Sequence, residues 1–172
     1  MTDLGDFFPF SINARGEVAG AKLAEADDDE DIRIDPVIYQ PGKGLTLLPR
    51  PQWASIGIAF GISDNSKCAG IITNSDREPK AVLWDNGKLN TVSKLPSIAY
   101  DVNNKGQAVG VAARRRGIEA VLWEGNRERF LNDTISDAEG FLVSALDINE
   151  RGQISGSGLQ NGYQFGYILT PK

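Results

Sequence analysis

The sequence contains no histidine and a single cysteine. Without histidine the Ser-His-Asp and Cys-His nucleophilic mechanisms are excluded, and so are the usual zinc sites. Cys68 cannot close an internal disulfide, and its apolar-alternating surroundings read as a small core residue and not as a nucleophile. The lack of a disulfide framework fits a reducing compartment. No run of about 18 apolar residues is present, so no helix is expected to cross a membrane. The N-terminal stretch Met1-Thr2-Asp3-Leu4-Gly5-Asp6 has no basic segment followed by an apolar one, hence no signal peptide. The expectation is a cytoplasmic chain, with an extracellular location only if a signal peptide had been removed. Phosphate-binding loops are missing too: Gly156-Ser157-Gly158 is not a dinucleotide fingerprint before a helix. Among 23 Asp and Glu, no spacing singles out a carboxylate pair, and no cofactor is expected.

What remains is acidic, apolar in short runs and rich in glycine. The formal net charge is −5, which disfavours nucleic acid and anionic membranes and favours a basic protein partner. The 19 glycines are spread along 172 residues, about one domain in length. Evenly spread glycine between short apolar runs is a β signature, because turns need residues that tolerate positive φ.

One pattern recurs four times: Phe10-Ser-Ile-Asn-Ala-Arg-Gly-Glu-Val-Ala-Gly20, Phe60-Gly-Ile-Ser-Asp-Asn-Ser-Lys-Cys-Ala-Gly70, Tyr100-Asp-Val-Asn-Asn-Lys-Gly-Gln-Ala-Val-Gly110 and Leu146-Asp-Ile-Asn-Glu-Arg-Gly-Gln-Ile-Ser-Gly156. Each reads as a β-hairpin. The Asn accepts a backbone N–H in an Asx-turn, and Gly16, Gly106 and Gly152 supply the left-handed conformation. In the second copy Ser66 fills that slot, and Asn65 is the expected substitute for positive φ. A third strand follows each hairpin, at Pro36-Val-Ile-Tyr39, Ala81-Val-Leu-Trp84, Ala120-Val-Leu-Trp123 and Gly166-Tyr-Ile-Leu169. A weaker fourth strand follows the first three of these, and the N-terminal Met1-Thr-Asp-Leu4 is expected to supply the missing one.

The pattern Asp-Ile-Asn-x-x-Gly-Gln-x-x-Gly, followed by Ala-Val-Leu-Trp, resembles the HAF-type repeat of bacterial extracellular repeat proteins, and Asp101–Gly110 and Asp147–Gly156 carry it best. Where that family has His-Ala-Phe, this sequence has Lys80-Ala81-Val82 and Glu119-Ala120-Val121. The resemblance implies a scaffold and not an activity. Together these readings give an all-β expectation: a small β-propeller of four four-stranded blades, its ring closed by the N-terminal strand. The chain is one domain, 1–172, with repeats at roughly 8–56, 57–96, 97–141 and 142–172 plus 1–7.

The candidate contact residues lie in loops. Asp27, Asp28, Asp29, Glu30 and Asp31 form an acidic run with the alternation of a calcium loop, but Ile32 stands where an EF-hand needs glycine. No metal is assigned to it. Arg114, Arg115 and Arg116 are a basic turn. Trp53 sits in a Pro-rich connection and Tyr163 beside a Gly turn. Meander topology places these loops on one face, the acidic and basic ones opposite each other. Trp84 and Trp123 are expected inside, as packing residues. The functional expectation is a non-catalytic protein-binding module, not an enzyme, in the narrower form of an inhibitor or immunity protein for a basic partner. The start at Met1 next to the closing strand reads as a complete intracellular chain. The alternatives are a carbohydrate- or small-ligand-binding propeller and an enzyme with a carboxylate-based site. The oligomeric state is open between a monomer and a ring-sharing homodimer.

Overall fold

The computed structural model describes residues 3–24, 32–114, 117–136 and 140–171. Among these are fifteen strands and one 3-10 turn, Leu131–Thr134. The strands form four antiparallel meanders in chain order. The first is β1 (Phe8–Ile12), β2 (Val18–Ala24), β3 (Arg33–Gln40) and β4 (Gly44–Leu47). The second is β5 (Ile56–Ile62), β6 (Cys68–Asn74), β7 (Arg77–Asp85) and β8 (Lys88–Thr91). The third is β9 (Ser97–Val102), β10 (Gln107–Arg114), β11 (Gly117–Glu124) and β12 (Arg127–Phe130). The fourth has β13 (Phe141–Ile148), β14 (Ile154–Gln160) and β15 (Tyr163–Leu169).

Each first hairpin is built by its turn. Asn13 Oδ1 accepts the N–H of Arg15 and of Glu17, both at 3.0 Å. Asn103 and Asn149 repeat this arrangement, and Ser63 Oγ accepts from Lys67 N at 3.1 Å. The left-handed residue is glycine at Gly16, Gly106 and Gly152; in the second turn it is Ser66 itself, at φ 63°, and not Asn65. The turns then bond to one another. Ala14 N donates to Asp64, Asn65 N to Asn104, and Asn104 N to Glu150, at 2.8–2.9 Å. This ladder fixes the hairpins side by side.

Three apolar clusters lie between successive meanders. The first joins Ala19 and Ile38 to Ala59, Ile62 and Trp84. The second joins Ala69 and Ala81 to Val102 and Trp123, and the third joins Val109 and Ala120 to Ile148 and Ile154. At 25 cal/mol per Å² or so, this burial is the main favourable term holding meander to meander.

The closed four-bladed propeller is not what forms. The strands fall into three sheets of eight, four and three strands, and none closes into a ring. The first two meanders merge through one parallel bridge, Ile34 to Ile56. No strand pair joins the first meander to the fourth among the described residues. Burial gives the reason. Ile62, Val102 and Ile148 are 6%, 2% and 4% exposed because a preceding meander covers each, whereas Ile12, at the same place on β1, is 69% exposed. At the other end Ile168 is 73% exposed, against 6% for Ile38 on β3. The N-terminal strand that was to complete the last meander is also missing: residues 3–7 carry no strand, and β15 is the outer strand of its sheet. The description as a closed propeller of equivalent repeats is therefore corrected, and the immunity-protein reading framed with it is not kept.

Candidate functional site

Each first strand carries a β-bulge at the same place. Pairing jumps between Pro9 and Ser11, between Ala59 and Gly61, between Ala99 and Asp101, and between Ala145 and Asp147. The unpaired residues are Phe10, Phe60, Tyr100 and Leu146. A bulge re-aims the side chain it inserts. The result is a row of large apolar side chains across β1, β5, β9 and β13. Phe10 meets Phe60 edge-on with ring centroids 5.4 Å apart, and Phe60 lies 6.0 Å from Tyr100. Phe10 and Leu146, at the ends, are about half exposed.

The glycines opposite make the bulge possible. A Cβ on Gly20, Gly70, Gly110 or Gly156 would lie 1.9–2.3 Å from the carbonyl oxygen of Phe8, Ile58, Ile98 or Ser144. No side chain fits at that distance.

Polar groups flank the row. Asp101 Oδ2 accepts the N–H of Ile148 at 3.0 Å. Burial pushes the Asp101 carboxyl up to about 6, against the N–H groups of Ile148 and Val102, and the neighbouring Asp147 pushes it the same way. Glu17, in the first turn, is the opposite case. Burial raises it, but hydrogen bonds from Gln40, Asn13, Ser66 and Arg15 outweigh that and hold it near 2. Their distances are 2.7–2.8 Å. A carboxylate satisfied on both oxygens by its own fold has a structural role.

A cleft of about 540 Å³ opens between the second and third meanders, lined among others by Lys67, Asp85, Leu89, Lys105, Trp123 and Asn126. Lys67 is paired with Asp85 there. Cys68 is fully buried, and burial with the nearby Glu17 charge pushes its thiol up to about 12, so no thiolate nucleophile is available near neutral pH. No group of three or more His, Cys, Asp or Glu that could hold a metal occurs among the described residues. Trp84 and Trp123 are buried, and their indole N–H groups reach Pro49 O at 2.7 Å and Glu128 Oε1 at 2.9 Å.

Part of the loop residues singled out from sequence are described in the structure. Asp27, Asp28, Asp29, Glu30 and Asp31 lie outside the described residues, as do Arg115 and Arg116. Arg114 forms a forked pair with Asp133 at 3.0–3.1 Å and lies 4.4 Å over the Phe130 ring. Trp53 is half-buried against the first cluster, with the Arg77 guanidinium 4.7 Å over its ring. Tyr163 is 80% exposed at the start of β15. Trp53, between β4 and β5, Arg114, at the end of β10, and Tyr163, at the start of β15, thus have different neighbours. Sequence reasoning did not single out the bulge row, although its four residues open the four recurring segments. The signal was a large apolar side chain ten positions before a glycine that cannot bear a Cβ.

The chain matches no family model and no curated protein.

Proposed function

We propose that this protein is a non-catalytic module that binds another protein through the apolar row of β1, β5, β9 and β13. The observation that supports it is the row itself: large side chains set by bulges on the first strand of each meander and half exposed at both ends. An exposed apolar stripe on a rigid scaffold is the kind of surface that protein partners bury, and aromatic residues dominate such contacts. The net charge of −5 favours a basic partner by long-range attraction.

The test is capture from a lysate of the source cells by the intact chain, beside Phe10→Lys. Phe10 is exposed enough for the lysine to be tolerated, which circular dichroism verifies. The expected result is a stoichiometric protein whose affinity falls about 30-fold or more in Phe10→Lys, the loss of one hot-spot side chain. Equal capture by both proteins, or capture of nothing, overturns the reading.

A further inference from the structure

The cleft of about 540 Å³ between the second and third meanders exists because two glycines stand where other meanders carry side chains. In the first and fourth meanders a proline ring packs against the turn glycine. A Cβ on Gly16 would lie 3.6 Å from Pro41 Cγ, and one on Gly152 3.2 Å from Pro171 Cγ. These prolines come two residues after Tyr39 and Leu169, which pair with Val18 and Ile154. The matching register in the third meander is Trp123 with Ala108, and the residue two after Trp123 is Gly125. It has no ring to offer, and a Cβ there would meet nothing within 4 Å. A Cβ on Gly106 would meet only the aliphatic stem of Lys67, with Cδ and Cε at 3.9 Å. Between the first and second meanders the same place is plugged. Ser66 stands where Gly106 does, and its hydroxyl accepts from Arg15 and donates to Glu17. At the second boundary Lys67 replaces Glu17, and Asn65, in place of Arg15, bonds to Asn104.

The lining combines apolar and polar groups. Leu89, at the margin of the first cluster, and Leu83 and Val92, at the margin of the second, all reach the cleft. Lys67 and Asp85 neutralise each other, and the second oxygen of Asp85 accepts from Asn86 at 2.9 Å. Lys105 is exposed, lines the same cleft and is paired with no carboxylate among the described residues. The side chains of Asn90, Thr91 and Asn126 line it too, and none of them is hydrogen-bonded among the described residues. A concave space of about 300–1,000 Å³ with apolar lining and a few convergent polar groups is the form that small-molecule sites take.

We propose that this cleft binds a monosaccharide bearing one carboxylate, with the carboxylate at the Lys105 ammonium. Charge sets the first part of that class. Lys67 and Lys105 against Asp85 leave one positive charge, so a single negative charge is matched, whereas a second meets the Asp85 carboxylate. The open polar groups set the second part. Asn90, Asn126 and Thr91 each donate and accept, as sugar hydroxyls do. The apolar lining sets the third: Leu83, Leu89 and Val92 suit the C–H face of a pyranose ring, whose burial is favourable. The cleft shares no residue with the apolar row of β1, β5, β9 and β13, so this site stands or falls independently of the protein-binding reading.

The experiment titrates the isotope-labelled full chain with D-glucuronate at constant ionic strength, beside D-glucose and D-glucose 6-phosphate. Chemical shifts are read by NMR, with attention to the amides of Lys105, Gly106, Gly125 and Asn126. Glucuronate should give saturable shifts centred on these residues, half-complete at about 10 mM or below. Glucose, without the charge, should bind about tenfold or more weakly, the effect of losing one hydrogen bond to a charged group. Lys105→Gln should lower glucuronate binding to the level of glucose while leaving the rest of the amide spectrum in place, since its side chain is exposed. Thr91→Trp, at the exposed end of β8, should fill the cleft and abolish binding. Should Thr91→Trp fail to fold, Lys105→Gln carries the comparison alone. The proposal is overturned by the absence of saturable shifts, by equal binding of glucose and glucuronate, or by undiminished binding in Lys105→Gln. Tighter binding of the doubly charged phosphate than of glucuronate also overturns it. Phe10→Lys leaves the titration unchanged.

Discussion

Replacing Glu17 by glutamine should flatten the acid side of the stability curve. The Glu17 carboxylate accepts four hydrogen bonds, from Gln40, Asn13, Ser66 and Arg15. They hold it at about 2 against an ordinary value of 4.5. A folded-state value below the unfolded one contributes stability above the unfolded value and loses it as pH falls toward the folded one. A shift of this size is worth up to about 3 kcal/mol, at about 1.4 kcal/mol per unit. The amount is a ceiling, since Arg15 is half exposed and screened by solvent. Wild-type protein should therefore lose stability progressively from about pH 4.5 down to about 2, and Glu17→Gln should be weaker at pH 7 yet nearly flat across that window. Asp101 works in the reverse sense. Its folded value is raised, so the protonated form is favoured and stability declines as pH rises from about 4 to about 6. That slope should persist in Glu17→Gln and vanish in Asp101→Asn, which keeps an acceptor for Ile148 N–H. Urea unfolding at half-unit pH steps, followed by tryptophan fluorescence, measures all three proteins. Parallel curves for wild type and Glu17→Gln through the acid window would refute the account of the network.

Two further outcomes test the packing. Gly110→Ala should destabilise by about 3 kcal/mol or more, because its Cβ would sit 1.9 Å from Ile98 O and the bulge at Tyr100 would have to open; an unchanged urea midpoint would show that the strands part easily there. Cys68 should stay unmodified by a thiol reagent in the native protein and react in step with global unfolding, given its full burial and raised thiol value; fast labelling under native conditions would mean that β6 opens locally.

The hairpins were legible because their causes are local. Asn at the turn start and a left-handed residue three positions on specify the turn within five residues, and the tertiary structure changed only which residue of the second turn goes left-handed, Ser66 instead of Asn65. The buried tryptophans were legible for a related reason: Trp84 and Trp123 close the short apolar run Ala-Val-Leu-Trp at equivalent places of the recurring pattern. The bulge row was half legible. The glycines that cannot bear a Cβ were visible as the ends of the recurring segments, but their clash partners are carbonyls on a neighbouring strand, which no local pattern names.

Ring closure could not be read from sequence at all. The same hairpin signals serve an open row and a closed ring, because closure depends on how far each interface turns one meander against the next. That is decided by the packing of Ala19, Ile38 and Ile62, and of their counterparts further along, and it leaves Ile12 and Ile168 uncovered at the two ends. Sequence by itself determined strands, turns and which faces are apolar, since those follow from periodicity and backbone preference. Only the tertiary structure decided that Phe10, Phe60 and Tyr100 meet ring to ring, since those contacts join residues forty or more positions apart.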